Sequence, residues 1–474
     1  MDGAMVLGLL LQGSALVLLF WRLRRDWVTH IGAVFIVLAV LYHGVNEIIL
    51  GLFSGYDPYR PLVEPKTYVG LFVLWISVAI LLFTIAYLAA LGRKPTPIPR
   101  GDTERQLAQS VRFFDWRIMI VAAIPLMAVS LGGQVSSALI SAPQSGSTAA
   151  VGLANQYFLL ALVLASFGIV TRFGRRWLVP ILIVQSLLVS AIAQRAVILF
   201  AAALLLYALA RVGTRLKRRQ LTFFAGVAVI LTLVITSARA SEGRLATTSG
   251  DSLRLQFLVA GLGQIGSPAA WHQVAIDLGY RFDGNSFGAL ELEALDRGLS
   301  PLGTTPLQND VLLAVPSFLN PNKDSSDVGT RVEKVYAEQH LGLSEFQIAP
   351  GEWLDILPTQ LGVITGYWGP WGILGAATLL GFLFGRADRW LLRSVSPVRL
   401  LLALGLLYCA LDYEGSWETY TVTFRGILLL LLVVYVVKAV GTSFARATKR
   451  TAARSAVRAL PAQAHRQADE GRRS

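Results

Sequence analysis

The chain has 474 residues, 54% of them hydrophobic, and carries 42 Lys and Arg against 29 Asp and Glu, for a formal net charge of +13. A mean hydropathy of +0.57 lies outside the range of soluble globular domains, and apolar runs near the roughly 20 residues needed to cross a bilayer recur along it. The basic residues cluster in short stretches between those runs, so the charge reads as membrane topology and not as a nucleic-acid surface.

The expected fold class is an all-α polytopic membrane protein with about 11 transmembrane helices, at 4–21, 30–52, 67–91, 118–138, 150–170, 177–193, 196–211, 220–237, 367–385, 399–411 and 423–440. The first run is followed by Arg22, Arg24 and Arg25 and preceded by no basic residue, which predicts a retained anchor and not a cleaved signal. Placing Arg22–Arg25 in the cytoplasm puts the N-terminus outside. The clusters Arg93–Arg117, Arg172–Arg176, Arg211–Arg219 and Arg386–Arg399 and the C-terminus then share the cytoplasmic side. Four regions follow: 1–237 with eight spans, a long external segment 238–366, 367–440 with three spans, and a basic tail 441–474 that is disordered or lies on anionic headgroups.

The turn between the sixth and seventh spans holds Gln194 and Arg195. With almost no loop around it, Arg195 either snorkels to the headgroups or lines a cavity. In the second span His43 and Glu47 stand four apart on one helix face, with Asn46 nearby. They line a polar cavity, together with Asn155 and Gln156 of the fifth span, or they fix helix packing by a mutual hydrogen bond.

The external segment is punctuated like a set of short helices. Ser267-Pro268 to Gly279, Ser286 to Gly298 and Asp327 to Gly342 each combine a capping residue with a terminating glycine. Gly261 to Gly266 matches GxGxxG, but without a βαβ pattern it reads as small residues for close helix packing. His30, His43, His272, His340 and His465 show no ligand spacing, and Asp324 and Asp327 fit no calcium loop, so neither a metal nor any other cofactor is expected. Glu352 and Asp355 are three apart after Pro350. On one face of a helix beside Trp353 they suit general-base work, or they simply complement a helix dipole. Arg195, Arg239, Arg244, Arg254, Arg281, Arg331 and Arg425 fall on the outer side, against the positive-inside bias. Their planar forks match phosphate oxygens.

Leu313-Ala314-Val315-Pro316-Ser317-Phe318-Leu319-Asn320-Pro321-Asn322-Lys323 resembles the P-x-x-x-x-P-x-K external signature of bacterial oligosaccharide repeat-unit polymerases, the Wzy-type O-antigen and exopolysaccharide polymerases. The G-x-x-G lead-in at Gly366 and Gly369, the turn at Arg195 and the late external segment are similar as well, whereas Ser317 stands where many relatives carry a basic residue. The resemblance implies a GT-C-like membrane glycosyltransferase of the bacterial inner membrane, acting on undecaprenyl-diphosphate-linked oligosaccharides at its outer face. A chain-length regulator and a flippase would be partners, and no nucleic acid or nucleotide sugar is involved. Transfer builds oxocarbenium character at the sugar and negative charge on the leaving diphosphate. Arg195, Arg331, Arg254 and Lys323 are then the candidates for diphosphate binding. Glu352 is the candidate base, with Asp355 and His340 behind it. The competing readings are a ligase of the same architecture, a transporter relaying protons through His43, Glu47 and Asp412, and a non-catalytic envelope scaffold.

Overall fold

The computed structural model describes residues 3–53, 67–92, 282–315, 359–393, 397–414 and 419–428, with single positions elsewhere. All the regular structure among the described residues is helical. Eight α-helices are numbered here: α1 (Gly3–Leu23), α2 (Ile31–Val40), α3 (Asn46–Phe53), α4 (Thr67–Leu91), α5 (Asn285–Asp296), α6 (Thr305–Ala314), α7 (Ile364–Leu392) and α8 (Pro397–Leu411). A π-helical turn, Leu41–Val45, joins α2 to α3 without a break, so Ile31–Leu52 forms one continuous span. Among the described residues, four helices are long and apolar enough to cross a membrane: Gly3–Leu23, Ile31–Leu52, Tyr68–Leu91 and Ile364–Leu392. The protein is therefore a helical membrane protein.

The predicted spans at 30–52 and 67–91 agree with the observed helices to within a residue or two. The ninth expected span, 367–385, is longer on both sides as α7, and 399–411 is α8 from Pro397. Residues 426–474 form a separate unit, whose described residues are helical.

Small residues bring the spans together, because lipid supplies no hydrophobic drive between them and close packing must do so. Gly381 and Gly385 of α7 lie against the α4 backbone. A Cβ at Gly381 would sit 2.3 Å from the Phe83 carbonyl oxygen, and one at Gly385 would sit 2.5 Å from that of Tyr87. The rings of Phe35, Phe83 and Phe384 fill the space beside this contact, with centroids 5.0–5.7 Å apart.

The helix termini alternate so that one end of the bundle gathers arginines. The Arg22 guanidinium donates to the Gly92 carbonyl at 2.9 Å, and Arg389 lies beside the same glycine. Arg399 stacks over Trp390 at 4.8 Å. Asp388 holds the start of α2 at this end, accepting from the backbone N–H of Ile31 at 3.1 Å and of Gly32 at 2.9 Å, and from the Tyr87 hydroxyl at 2.8 Å. Of the basic residues that the sequence assigns to a common side, Arg22, Arg389 and Arg399 sit at this end, whereas the clusters Arg93–Arg117, Arg172–Arg176 and Arg211–Arg219 lie outside the described residues.

At the opposite end the segment between the spans joins the bundle. Asp283 accepts from the N–H groups of Asn285 and Ser286 at 2.9 and 3.2 Å and from the Ser286 hydroxyl at 2.6 Å, which caps α5. The expected capping residue, Ser286, lies instead inside the first turn. Gly298, at φ 93°, ends the helix, with the Leu299 N–H returning to the Ala294 carbonyl at 3.2 Å. α5 packs on α4 and α7 and is buried along nearly its whole length. Its residue Gly288 admits the ring of Phe72, which a Cβ would meet at 2.1 Å.

Candidate functional site: a polar cluster where the inter-span segment meets the bundle

His43 and Glu47 are buried with Asn46 on one side of the π turn and α3. They do not bond to each other, because Asn285 stands between them. Its Nδ2 donates to Glu47 Oε1 at 2.7 Å and to the His43 carbonyl at 3.2 Å, and its Oδ1 faces His43 Nδ1 at 2.8 Å. With both amide protons committed to oxygens, Oδ1 can only accept, so the proton of the ring lies on Nδ1. His43 Nε2 then presents its lone pair to the hydroxyls of Thr359 at 3.1 Å and Tyr413 at 3.2 Å. Four stretches far apart in sequence therefore meet at one imidazole. His43 is fully buried among these groups, so the cluster ties the four stretches together.

Next to it, Gln360 uses every polar group it has. Its backbone N–H donates to the Tyr413 carbonyl at 3.1 Å, and Nε2 donates to the carbonyls of Cys409 and Asp412 at 2.7 and 2.8 Å. Its Oε1 accepts from the Tyr420 hydroxyl and its carbonyl from Trp417 Nε1, both at 2.9 Å. Glu414 accepts from the Tyr42 hydroxyl, and Asp412 accepts from Thr419 Oγ1 at 3.0 Å. Burial pushes the Asp412 carboxyl up to about 6, with neighbouring Glu414 adding to the rise and Thr419 opposing it.

The segment also supplies donors at two places where a span departs from a regular α-helix. At the π turn, Asn46 N–H reaches back five residues to the Leu41 carbonyl. The Tyr42 carbonyl accepts from Gly284 N–H at 3.4 Å, and that of His43 from Gln12 Nε2 at 3.3 Å and from Asn285. In α7, Gly369 adopts φ 71° and is followed by Pro370, whose missing N–H leaves the Gly366 carbonyl without its helical donor. Leu302 N–H takes that place at 3.1 Å, and Gly303 N–H bonds the Tyr367 carbonyl at 2.8 Å. Non-helical backbone within a span is tolerated where protein groups re-satisfy it, and residues 284–303 do so twice.

Of the residues singled out from the sequence, His43 and Glu47 belong to this cluster and Asp412 borders it. Arg195, Arg254, Lys323, Arg331, His340, Glu352 and Asp355 lie outside the described residues, as do Asn155 and Gln156. Sequence reasoning missed Asp283, Asn285, Thr359, Gln360 and Tyr413. Asp283-Gly284-Asn285-Ser286 did carry a turn-and-cap signature that points to the start of α5. No group of three metal-ligating side chains occurs among the described residues. No family model, curated protein or solved structure matches the chain.

Proposed function

We propose that the protein is a membrane glycosyltransferase that polymerises undecaprenyl-diphosphate-linked oligosaccharide repeat units on the outer face of the bacterial inner membrane. The resemblance around Pro316–Lys323 and Gly366–Gly369 motivates this reading. The observation that carries it is the anchoring of the inter-span segment, because the stretch bearing Glu352 and Asp355 runs directly into Thr359 and Gln360, both fixed in the polar cluster. A transferase working at a membrane face needs its acid–base group held at a set position relative to the lipid-borne donor. Glu352 is assigned the role of base toward the acceptor hydroxyl, with Asp355 and His340 as reserves. Arg195, Arg331, Arg254 and Lys323 are assigned to the leaving diphosphate.

The test is an assay with lipid-diphosphate-linked repeat units in EDTA, resolved by glycan length. A product ladder that survives chelation and collapses in Arg331→Ala and Glu352→Gln supports a metal-independent polymerase. A single shift onto another acceptor indicates a ligase. Absence of any new glycosidic bond with matched donors removes the transferase reading and favours transport or scaffolding.

A further inference from the structure

A π turn inside a span is costly unless something outside the helix stabilises it, since its hydrogen-bond geometry is poorer than that of an α turn. Here the stabilising groups come from elsewhere in the chain. The peptide N–H of Gly284 reaches the Tyr42 carbonyl, and the Asn285 side chain binds His43 O, His43 Nδ1 and Glu47 Oε1 together. Fit is as specific as bonding. A Cβ at Gly284 would lie 2.5 Å from Thr359 Cγ2 and 3.0 Å from His43 Cε1, and one at Gly44 would lie 2.1 Å from Gln12 Oε1.

We propose that the π turn Leu41–Val45 and residues Gly284–Asn285 form a two-state joint: docking of the segment holds the wide turn, and undocking lets it relax to α-helix and rotate α3. The relaxation exchanges the bond from Asn46 N–H to Leu41 O for one to Tyr42 O, the carbonyl that Gly284 occupies when docked. Both N–H groups thus converge on the Tyr42 carbonyl, and the states differ in whether Leu41 O or Tyr42 O receives the Asn46 N–H. Rotation by one residue's share of a turn, roughly 100°, carries Glu47 away from Asn285 and moves lipid-exposed Ile48 around the axis. The joint couples the position of the inter-span segment to the orientation of a membrane helix, whatever reaction the protein performs. It is a bistable element of the kind that conformational switching requires.

The experiment is a pulsed electron–electron distance measurement in nanodiscs, with spin labels on Ile48→Cys and Leu379→Cys, both exposed positions. The parent is expected to give one distance. Asn285→Ala should add a second population, displaced by up to about 8 Å, the chord swept at the helix surface by such a rotation. Deleting Val45, which removes the extra residue of the wide turn, should abolish that second population in the Asn285→Ala background. Gly284→Ala repeats the perturbation from the backbone side and serves if Asn285→Ala is not monodisperse. A single parental distance in the substituted protein, or a second population that persists after deletion of Val45, overturns the joint.

Discussion

Asp388 closes the N-terminus of the helix that begins at Ile31, 357 positions earlier in the chain, through an N–H to carboxylate bond of 3.1 Å. The capping group that a helix usually takes from its own preceding residue comes here from another span. His30, which precedes Ile31, makes no capping side-chain bond and turns its Nδ1 to the Asp26 carbonyl at 2.8 Å.

Asp388→Ala is expected to leave the N–H groups of Ile31 and Gly32 and the Tyr87 hydroxyl without acceptors, at about 1–3 kcal/mol for each buried donor orphaned. Tyr87→Phe removes the hydroxyl and its one bond while Asp388 keeps the N–H groups of Ile31 and Gly32, and should cost about 1 kcal/mol. Thermal unfolding in detergent should show a clear drop in Tm for the first and a small one for the second.

The α4–α7 contact predicts a steep size dependence. Gly381→Val or Gly385→Val drives side-chain atoms into the carbonyls of Phe83 and Tyr87 and should abolish monodisperse protein on size exclusion. Gly13→Ala meets nothing within 4 Å and should raise stability by up to about 1 kcal/mol through helix propensity.

Asp412 predicts a pH dependence of definite sign. Its carboxyl is raised by burial from 3.8 to about 6, so between those values the folded state holds a proton that the unfolded state has lost. Stability should therefore fall as pH rises from about 4 to about 6 and level off above that. Asp412→Asn should remove this slope and be at least as stable as the parent at pH 7. Unfolding midpoints measured across that range check it.

Gln360→Glu would set an acceptor oxygen 2.7 Å from the Cys409 carbonyl and 2.8 Å from that of Asp412 in place of their donor. A loss of about 1–3 kcal/mol per orphaned carbonyl is expected, with a further penalty when the new carboxylate ionises. Because both partners lie at the end of α8, amide exchange should accelerate there ahead of α4.

Asp283→Ala removes three bonds that start α5 and should cost about 1–2 kcal/mol. Amide exchange within Asn285–Asp296 should rise selectively, while that of α1 stays unchanged. A uniform rise across the bundle would show that the cap stabilises more than its own helix.

Hydropathy alone located α4 and the span from Ile31, because each is a long apolar run with clear ends. It stopped α7 too early. Arg386, Asp388 and Arg389 look like a boundary, yet the helix continues to Leu392 because Asp388 turns inward to Ile31 and Tyr87. It also began α7 too late, since Gly369 and Pro370 read as a start and are instead a kink bridged by Leu302 and Gly303. His43 and Glu47 were legible as a pair on one face. Their common partner was not, because Asn285 is distant in sequence and ordinary in composition. The π turn has no local signature either, as its stabilising donors lie elsewhere in the chain. Helix α6 could have been read from Thr304, Thr305 and Pro306, a cap followed by proline in the first turn.

The two bridged helix defects set an order of events during biosynthesis. Asn285 leaves the ribosome 242 residues after His43, so the second span enters the bilayer before its partner exists. It inserts carrying His43 and Glu47 without Asn285 beside them, with Gln12 as an earlier-made donor to the His43 carbonyl. Under the proposed joint the wide turn forms only once Gly284 and Asn285 return to it. The kink in the later helix meets no such delay, because Leu302 and Gly303 are made before Gly366 and Tyr367. Nascent chains arrested before residue 284 should therefore hold an uninterrupted second helix. On the proposed joint, the finished fold is then reached by remodelling a span already in the membrane.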